Sequence, residues 1–267
     1  MAHRITVIGG VNADIGGTPS ESLIPADSNI GHVSLCPGGV GHNIAKELSS
    51  LGDEVAFITA TGSDALGAML RSRCCLEGLD ISRARLCEGL SSSVYLYILE
   101  KSGELHVGLN DMSIVAEINP EFLAQHLDFI NASDACVVDA NLSREALEYL
   151  CAHVTVPLYG DPVSVTKAEK FLGLLDRFAA VKPNRMEYEV LQPVPCRCYV
   201  SAGADGIYAH DGENVLHIPA QKVTLRNANG CGDAAVAAIV HGELEGFGLQ
   251  ETAEFAVKIS GEKASRL

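Results

Sequence analysis

The feature that most constrains the fold is a set of five short apolar runs, each ended by Gly, Asp or Asn. The runs are RITVIGG, EVAFITA, ACVVDA, VPLYGD and FAAVKPN. Runs that are apolar throughout are typical of parallel strands buried on both faces of a sheet. Because helical patterns lie between them, the sequence predicts an α/β fold with a mostly parallel sheet.

Three helix starts can be recognised between these runs. Ser63 precedes DALGAML, Asn119 precedes a proline, and Ser143 precedes REALEYL. Serine and asparagine are preferred N-cap residues, and proline is favoured in the first helical turn. We therefore expect helices to begin directly after these three residues.

Two stretches interrupt the alternation of strands and helices. Residues 15–35 are rich in Gly, Pro, Ser and Asp, and residues 91–111 have the pattern of two strands joined by a turn at EKSGEL. Such β-ribbons can form a lid over a binding crevice, although edge strands without a binding role give the same pattern. With no linker or internal repeat in the sequence, we expect one domain over residues 1–267, with a β lid built from both inserts.

Composition limits the classes of partner. A net charge of −15 and a pI near 4.9 argue against nucleic acid and anionic lipid and favour a small molecule. The sequence has no signal-peptide core and no run of about 18 apolar residues, so we expect a soluble, cytoplasmic protein with no membrane contact. The nine cysteines lack paired metal spacing and are expected to be reduced thiols.

The stretch NANGCGDAAVAAIV places a carboxylate after a glycine turn. Gly230 and Gly232 flank Cys231, and Asp233 follows at the start of an alanine-rich helix. The free N–H groups of a glycine-led helix start bind anions and phosphate. Asp233 is therefore either a helix cap or a carboxylate beside an anion or phosphate site.

A second glycine cluster is PGGVGHNIAKELSSLG. Gly38 and Gly39 allow the backbone to approach a ligand closely, and Asn43 offers both a donor and an acceptor for sugar hydroxyls. A purely structural turn is the alternative. The dinucleotide-binding pattern G-x-G-x-x-G is absent from this cluster, which argues against a Rossmann site.

Polar residues also follow the predicted strands. Asn12 and Asp14 are two apart, so on an extended path their side chains face the same side and could hold vicinal hydroxyls, unless they form an Asx turn. Asn184 and Glu187 are three apart at a helix start, where they could face a hydrated metal ion or form a capping box. Ligands of open α/β sheets bind beyond the carboxyl ends of the strands.

The stretch YVSAGADGIYAHDG contains a further glycine turn. Ser201, Gly203 and Gly206 fall at a strand end that is followed by a second strand. The turn could border a nucleotide, and an ordinary hairpin has the same pattern.

In this order the motifs resemble the PfkB (ribokinase-like) family of sugar and nucleoside kinases. PGGVGHNIA is similar to the first family signature, NANGCGDAAVAAIV to the second, and KPNRME to the Asn-x-x-Glu magnesium motif. Three longer stretches resemble the branch that phosphorylates pseudouridine: ESLIPADSNIGHVSLCPGGVGHNIA, LHVGLNDMSI and GDPVSVTKAEK. The resemblance covers nearly the whole chain.

The resemblance implies a three-layer α/β/α sandwich with a small β lid, and ATP-dependent phosphorylation of the 5′-hydroxyl of pseudouridine. Asp233 would be the base, and the N–H groups of Gly230, Cys231 and Gly232 would neutralise the transferred phosphoryl group. The ribose and base would be held by Asn12, Asp14, Gly38, Gly39, Asn43 and Asn110.

On the donor side the resemblance implies nucleotide binding by Asn184, Ser201, Gly203, Gly206 and Asn229. Asn184 and Glu187 would order Mg²⁺ through water. A monovalent cation would be compatible with the family, and pairing of lids would give a homodimer.

The sequence departs from the family pattern on the nucleotide side. Ala228, Cys231 and Ser201 replace the usual Thr, Ala and Thr, which is tolerable because the anion site is built from backbone. The segment after Glu187 is short, and the sequence stops at Leu267 soon after the last predicted helix. We therefore expect part of the adenine wall to be missing, which leaves a nucleoside-binding protein without catalysis as one alternative. Another sugar or nucleoside kinase is the other, because the ribose-holding residues serve both.

Overall fold

The computed structural model describes residues 2–212, 214–224, 226 and 229–265. Ala228 and Leu267, which were considered above, lie outside this part of the chain. The strands are β1 Arg4–Ile8, β2 Asn12–Pro19, β3 Gly31–Gly38, β4 Glu54–Ile58, β5 Ala60–Gly62, β6 Arg85–Cys87, β7 Val94–Leu99, β8 Leu105–Asp111, β9 Ala135–Asp139, β10 Leu158–Asp161, β11 Ala180–Val181, β12 Arg197–Ser201, β13 Ile207–His210 and β14 Val215–Ile218.

The helices include a short α6 and several single 3₁₀ turns between longer elements. They are α1 Val40–Leu51, α2 Ala65–Leu76, α3 Pro120–Ala124, α4 Leu127–Asn131, α5 Arg144–His153, α6 Val165–Ala168, α7 Arg185–Leu191, α8 Cys231–Leu244 and α9 Leu249–Ser265.

The main sheet has the strand order β14-β13-β12-β11-β10-β9-β1-β4. In this sheet six neighbouring strands are parallel: β4, β1, β9, β10, β11 and β12. The remaining two, β13 and β14, pair in antiparallel fashion at one edge. The five apolar runs are β1, β4, β9, β10 and β11, which are contiguous in this sheet. The predicted parallel sheet is confirmed, because each run is buried and its neighbours supply the hydrogen bonds of the ladder.

Helices cover both faces of the sheet and give the three-layer arrangement. Ile5 and Val7 of β1 belong to a core with α1, α8 and α9, whereas Ile8 belongs to a second core with α3, α5 and α7. Residues 234–240 of α8 are all buried, because their small side chains allow close packing on the sheet.

Two of the three predicted helix starts are correct. The side chains of Asn119 and Ser143 accept hydrogen bonds from the third residue of their helices. The third prediction is wrong by one residue, since the N-cap of α2 is Asp64 and Ser63 is exposed. The Asp64 carboxylate accepts from Gly67 N at 2.7 Å and also from the N and Oγ of Ser92 at 2.8 and 2.6 Å. A serine hydroxyl could not hold both segments in this way.

The predicted β inserts form one four-stranded sheet with the order β3-β2-β7-β8, here called the lid sheet. Its strands cover residues 12–38 and 94–111, so the first insert is longer than the predicted 15–35. Its first two strands, β2 and β3, lie between β1 and Gly39, the N-cap of α1. The lid sheet therefore adjoins the carboxyl edge of the main sheet.

Among the described residues, no helix is both long and apolar enough to cross a membrane. The nine cysteines carry free thiols.

The correction at α2 gives a stability prediction. Asp64→Ala removes an N-cap and leaves two donors of Ser92 without this partner, so we expect the free energy of unfolding to fall by about 1–3 kcal/mol. Ser63→Ala is the matched control and should change it by less than about 0.5 kcal/mol. Urea unfolding of both variants measures this difference. Equal losses of unfolding free energy would contradict the assignment of Asp64 as the N-cap.

Candidate active site

The predicted acceptor residues meet where the lid sheet joins the main sheet. Asn12 Nδ2 donates to Asp14 Oδ1, so the two side chains lie on the same side, as predicted. A Cβ atom on Gly38 would collide with the Asp14 carboxylate, and one on Gly39 would lie 2.7 Å from Asn12 Oδ1. The glycines are thus required because these two side chains occupy the adjacent space. We call this region the acceptor crevice.

Register places Asn110 on the same face of the lid sheet as Asp14. Cys36, Asp14, Tyr95 and Asn110 form one row across the four strands. Directly paired residues point to the same face of a sheet, and two strand spacings separate Asp14 from Asn110 by about 10 Å. Asn110 is exposed on this face, and its contact with a base stays a prediction.

Two tyrosines on this face of the lid sheet were missed by the sequence analysis. Tyr95 and Tyr97 are half-buried, and their ring centroids are 5.4 Å apart. The Tyr97 ring lies over Gly16, where a Cβ would collide with it, and the Tyr95 ring lies over Gly108. The signal that could have identified these tyrosines is their spacing of two residues, which puts both on one face of a strand, together with glycines on the neighbouring strands.

Asn43 joins the acceptor crevice to the second glycine-led helix. Its Nδ2 donates to Asp233 Oδ2 at 2.7 Å, across 190 positions of sequence. Asp233 is in the first turn of α8, whose N-cap is Gly230 with φ 75°, and α8 has no side-chain cap hydrogen bond. The interpretation of Asp233 as a simple helix cap is therefore wrong, because Asn43 holds its carboxylate.

The surroundings of Asp233 adjust its acidity. Burial and the nearby charge of Asp161 raise its pKa to about 7, while the hydrogen bond from Asn43 and the charge of Lys182 act in the opposite direction. A carboxylate with a pKa near neutrality is suited to accept a proton at physiological pH.

Lys182 is a functional candidate that the sequence analysis passed over within KPNRME. Its ammonium is buried, lies 3.2 Å from Asp161 Oδ2, and would be 3.0 Å from a Cβ on Gly232. Burial disfavours the charged form, but Asp161, Asp233 and Glu187 outweigh it and raise the pKa of Lys182. A fixed positive charge therefore lies beside the N-terminus of α8, where Gly230, Cys231 and Gly232 supply N–H groups.

Asn184 and Glu187 form the capping box that was one of their two interpretations. Asn184 Oδ1 accepts from Glu187 N, and the Glu187 carboxylate accepts from the N and Nδ2 of Asn184 at 2.8 Å each. Burial raises the pKa of Glu187. Each carboxylate oxygen keeps a further lone pair, which fits contact with the waters of a hydrated Mg²⁺ better than direct ligation.

The described residues contain no group of three or more His, Cys, Asp or Glu suited to hold a metal by themselves. In proteins Mg²⁺ usually keeps several waters and is also held by substrate phosphates. The metal role of Asn184 and Glu187 stays a prediction.

A cleft of about 430 Å³ lies on the other side of the α8 N-terminus. Five predicted residues line it: Ser201, Gly203, Gly206, Cys231 and Gly232. Asn184 and Asn229 are not among its lining residues, although Asn184 forms a bridge to Ser201 at the edge of the sheet.

The opposite wall of the cleft is formed mainly by α9, through Val257, Ser260, Gly261 and Ala264. The short segment after Glu187 lines none of it, since that segment ends α7 and leads into β12. The cleft falls within the usual volume range of small-molecule sites, about 300–1,000 Å³. Whether the adenine wall is complete stays a prediction.

The comparison with known families decides the classification. The profile described as pfkB family carbohydrate kinase matches residues 2–266. The chain belongs to the PfkB family.

Individual relatives agree with this assignment. A pseudouridine kinase of Escherichia coli (strain K12) is 35% identical over 274 residues, covering 94% of this PfkB chain and 87% of that protein. The structure of a carbohydrate kinase from Agrobacterium tumefaciens aligns with a TM-score of 0.84 at 26% identity, over 97% of this chain and 90% of that one. The structure of Arabidopsis thaliana ribokinase complexed with ribose and ATP aligns with a TM-score of 0.86 at 18% identity, over 100% and 94%.

These similarities confirm the predicted family and the ribokinase-like α/β fold. As a PfkB kinase, the chain is a phosphotransferase that acts on a hydroxyl group. The roles assigned to individual residues remain predictions from the geometry above.

The raised pKa of Asp233 gives a prediction about stability. Because the folded-state pKa is about 7 and the usual value is 3.8, the native state loses stability as pH rises from about 4 to 7. Asp233→Asn removes this ionisation, so we expect its stability relative to wild type to increase over that range and to exceed wild type at pH 8.

Urea unfolding at pH 5 and pH 8 measures the effect. Exposed Asp128→Asn is the control and should show no change in relative stability between the two pH values. A relative stability of Asp233→Asn that is independent of pH would show that Asp233 ionises normally.

Proposed function

We propose that this PfkB kinase transfers the γ-phosphoryl group of ATP to the 5′-hydroxyl of pseudouridine, giving pseudouridine 5′-phosphate. The observation that carries the proposal is the position of Asp233. Its carboxylate is held by Asn43 of the acceptor crevice and belongs to the helix start that borders the cleft. A hydroxyl in the crevice and a phosphate in the cleft would thus meet at this carboxylate.

The chemistry follows from the charges at this point. Asp233 would take the proton of the attacking hydroxyl, which strengthens the nucleophile as its bond to phosphorus forms. The N–H groups of Gly230, Cys231 and Gly232, together with the ammonium of Lys182, would stabilise the negative charge of the transferred group. Mg²⁺, when bound, would also neutralise charge on the donor phosphates, and Asn184 and Glu187 would hold its waters.

On the acceptor side, Asn12, Asp14 and Asn43 offer polar atoms for ribose hydroxyls, and Gly38 and Gly39 allow the sugar to approach. Tyr95 and Tyr97 would cover the base and exclude water that otherwise hydrolyses ATP. The E. coli relative named as a pseudouridine kinase supports pseudouridine as the acceptor. Another nucleoside or free ribose is the alternative, because contacts to ribose serve each of them.

A non-catalytic nucleoside-binding role is the second alternative. It would require a depleted nucleotide wall beside the cleft that Ser201, Gly203, Gly206 and α9 line.

We expect the highest kcat/KM for pseudouridine among pseudouridine, uridine, adenosine and ribose, each assayed with ATP and Mg²⁺. Asp233→Asn keeps the size of the side chain but should lose about 10²–10⁴-fold in kcat. Higher efficiency on ribose would reject the acceptor, and near-normal turnover of Asp233→Asn would reject the base. Pseudouridine binding with neither ATP binding nor turnover would establish the non-catalytic role.

We further propose that the lid sheet mediates a homodimer. The face opposite Asp14 and Tyr95 carries two apolar rows, in which Leu35, Leu96 and Leu109 follow one register and Val33 and Val107 the next. All five side chains are exposed, at 40–69%. An exposed apolar face of this extent on a small sheet with two free edges is typical of a surface that a partner covers.

Light scattering at assay concentrations should give the mass of a dimer. Leu109→Lys should shift the mass toward the monomer, because it places a charge in the centre of the apolar rows. Val215→Lys is the control, since Val215 is 78% exposed on β14, outside the lid sheet. A monomeric wild type, or dissociation by both variants, would contradict this interface.

A further inference from the structure

A buried histidine lies behind the Asn43–Asp233 contact. His42, in the first turn of α1, is 1% exposed. Its Nε2 lies 2.7 Å from Glu77 Oε2, and its Nδ1 lies 3.3 Å from Asn43 Oδ1. Since Asn43 Nδ2 bonds Asp233, a continuous series of hydrogen bonds runs from Glu77 at the end of α2 to Asp233.

We propose that His42 is a positioning residue that fixes the orientation of the Asn43 carboxamide and, through it, the Asp233 carboxylate. The inference rests on the proposed function of Asp233 as the base. His42 would not touch the substrate, so its effect on catalysis passes through Asn43.

Counting donors and acceptors supports one orientation of Asn43. A carboxamide oxygen only accepts, so His42 Nδ1 must donate to Asn43 Oδ1. Burial favours a neutral Glu77, but hydrogen bonds from His42 and Lys46 outweigh it and lower the pKa of Glu77 to about 2. Glu77 is then a carboxylate that only accepts, and it holds the far side of the His42 ring through Nε2. A flipped Asn43 would turn its NH₂ group toward the donating His42 Nδ1.

The flipped carboxamide would also place its oxygen against the Asp233 carboxylate, where two acceptors repel each other. His42 therefore selects the orientation in which Asn43 donates to Asp233. Charged groups near His42 include Lys46, which bonds Glu77 Oε1 at 2.8 Å, and Asp14, which lies close enough to His42 for an electrostatic interaction. The Phe57 ring packs on the remaining side, with its centroid 6.5 Å from that of His42.

A double-mutant cycle tests whether His42 acts through Asn43. We expect His42→Phe to lower kcat by about 10- to 100-fold, because a misplaced catalytic group costs rate, and to leave the KM for ATP unchanged. In an Asn43→Ala background, His42→Phe should change kcat by less than about twofold. Losses that multiply independently would overturn the proposal.

A matched control is available on the same helix. Lys46→Met removes the other partner of Glu77 while His42 keeps both of its bonds, so we expect kcat within about twofold of wild type. A loss equal to that of His42→Phe would show that the Glu77 cluster stabilises the fold rather than the site. If His42→Phe does not fold, Glu77→Gln makes the same test, since it weakens the bonds of Glu77 to His42 and Lys46, and Lys46→Met controls for the second. We expect a smaller loss of kcat that also disappears in the Asn43→Ala background.

A second readout does not depend on the reaction. Without a donating Asn43 the Asp233 carboxylate loses a stabilising bond, so its pKa should rise in His42→Phe and stay unchanged in Lys46→Met. Carbon-13 NMR titration of labelled aspartates measures both. An inactive wild type with this pattern would reject the proposed function alone, whereas an unchanged Asp233 titration in His42→Phe would reject the positioning role.

Discussion

The hydrogen bond between Asn43 and Asp233 is the contact around which the site is organised. It joins the first turns of two glycine-led helices that are far apart in sequence, and it links the acceptor crevice to the start of α8. Both helix starts need glycine, because Gly39 and Gly230 adopt positive φ and bring backbone close to polar side chains.

Burying several carboxylates in one place lowers the stability of the fold, and a buried cation in the site offsets part of this loss. Asp139, Asp161 and Glu187 gather with Asp233 at the carboxyl ends of the central strands, and burial raises the pKa of Asp139 to about 6. Lys182 is the buried cation among them and balances part of this negative charge. Under the proposed function, the Lys182 ammonium would also face the phosphates of a bound nucleotide. The cation that balances the buried carboxylates would then also attract the anion.

The lid sheet uses its two faces for different purposes. Alternation along each strand puts Asp14, Tyr95 and Asn110 on one face and the apolar rows on the other. Under the proposed function, one face would contact the acceptor and the other a second copy of the chain. A change in dimerisation would then alter the acceptor crevice, because both faces belong to the same four strands.

The sequence by itself determined the parallel sheet, the helix starts at Asn119 and Ser143, and the glycine-led positions of Asn43 and Asp233. These follow from local rules of burial, capping and backbone freedom, which act within a few residues. Only the tertiary structure decided that Asp233 is held by Asn43, that Lys182 lies beneath α8, that α9 forms the cleft wall and that His42 joins Glu77 to Asn43. Each of these contacts joins segments that are distant in sequence. Their proximity is set by the packing of the whole sheet and its helices, which no local sequence pattern specifies.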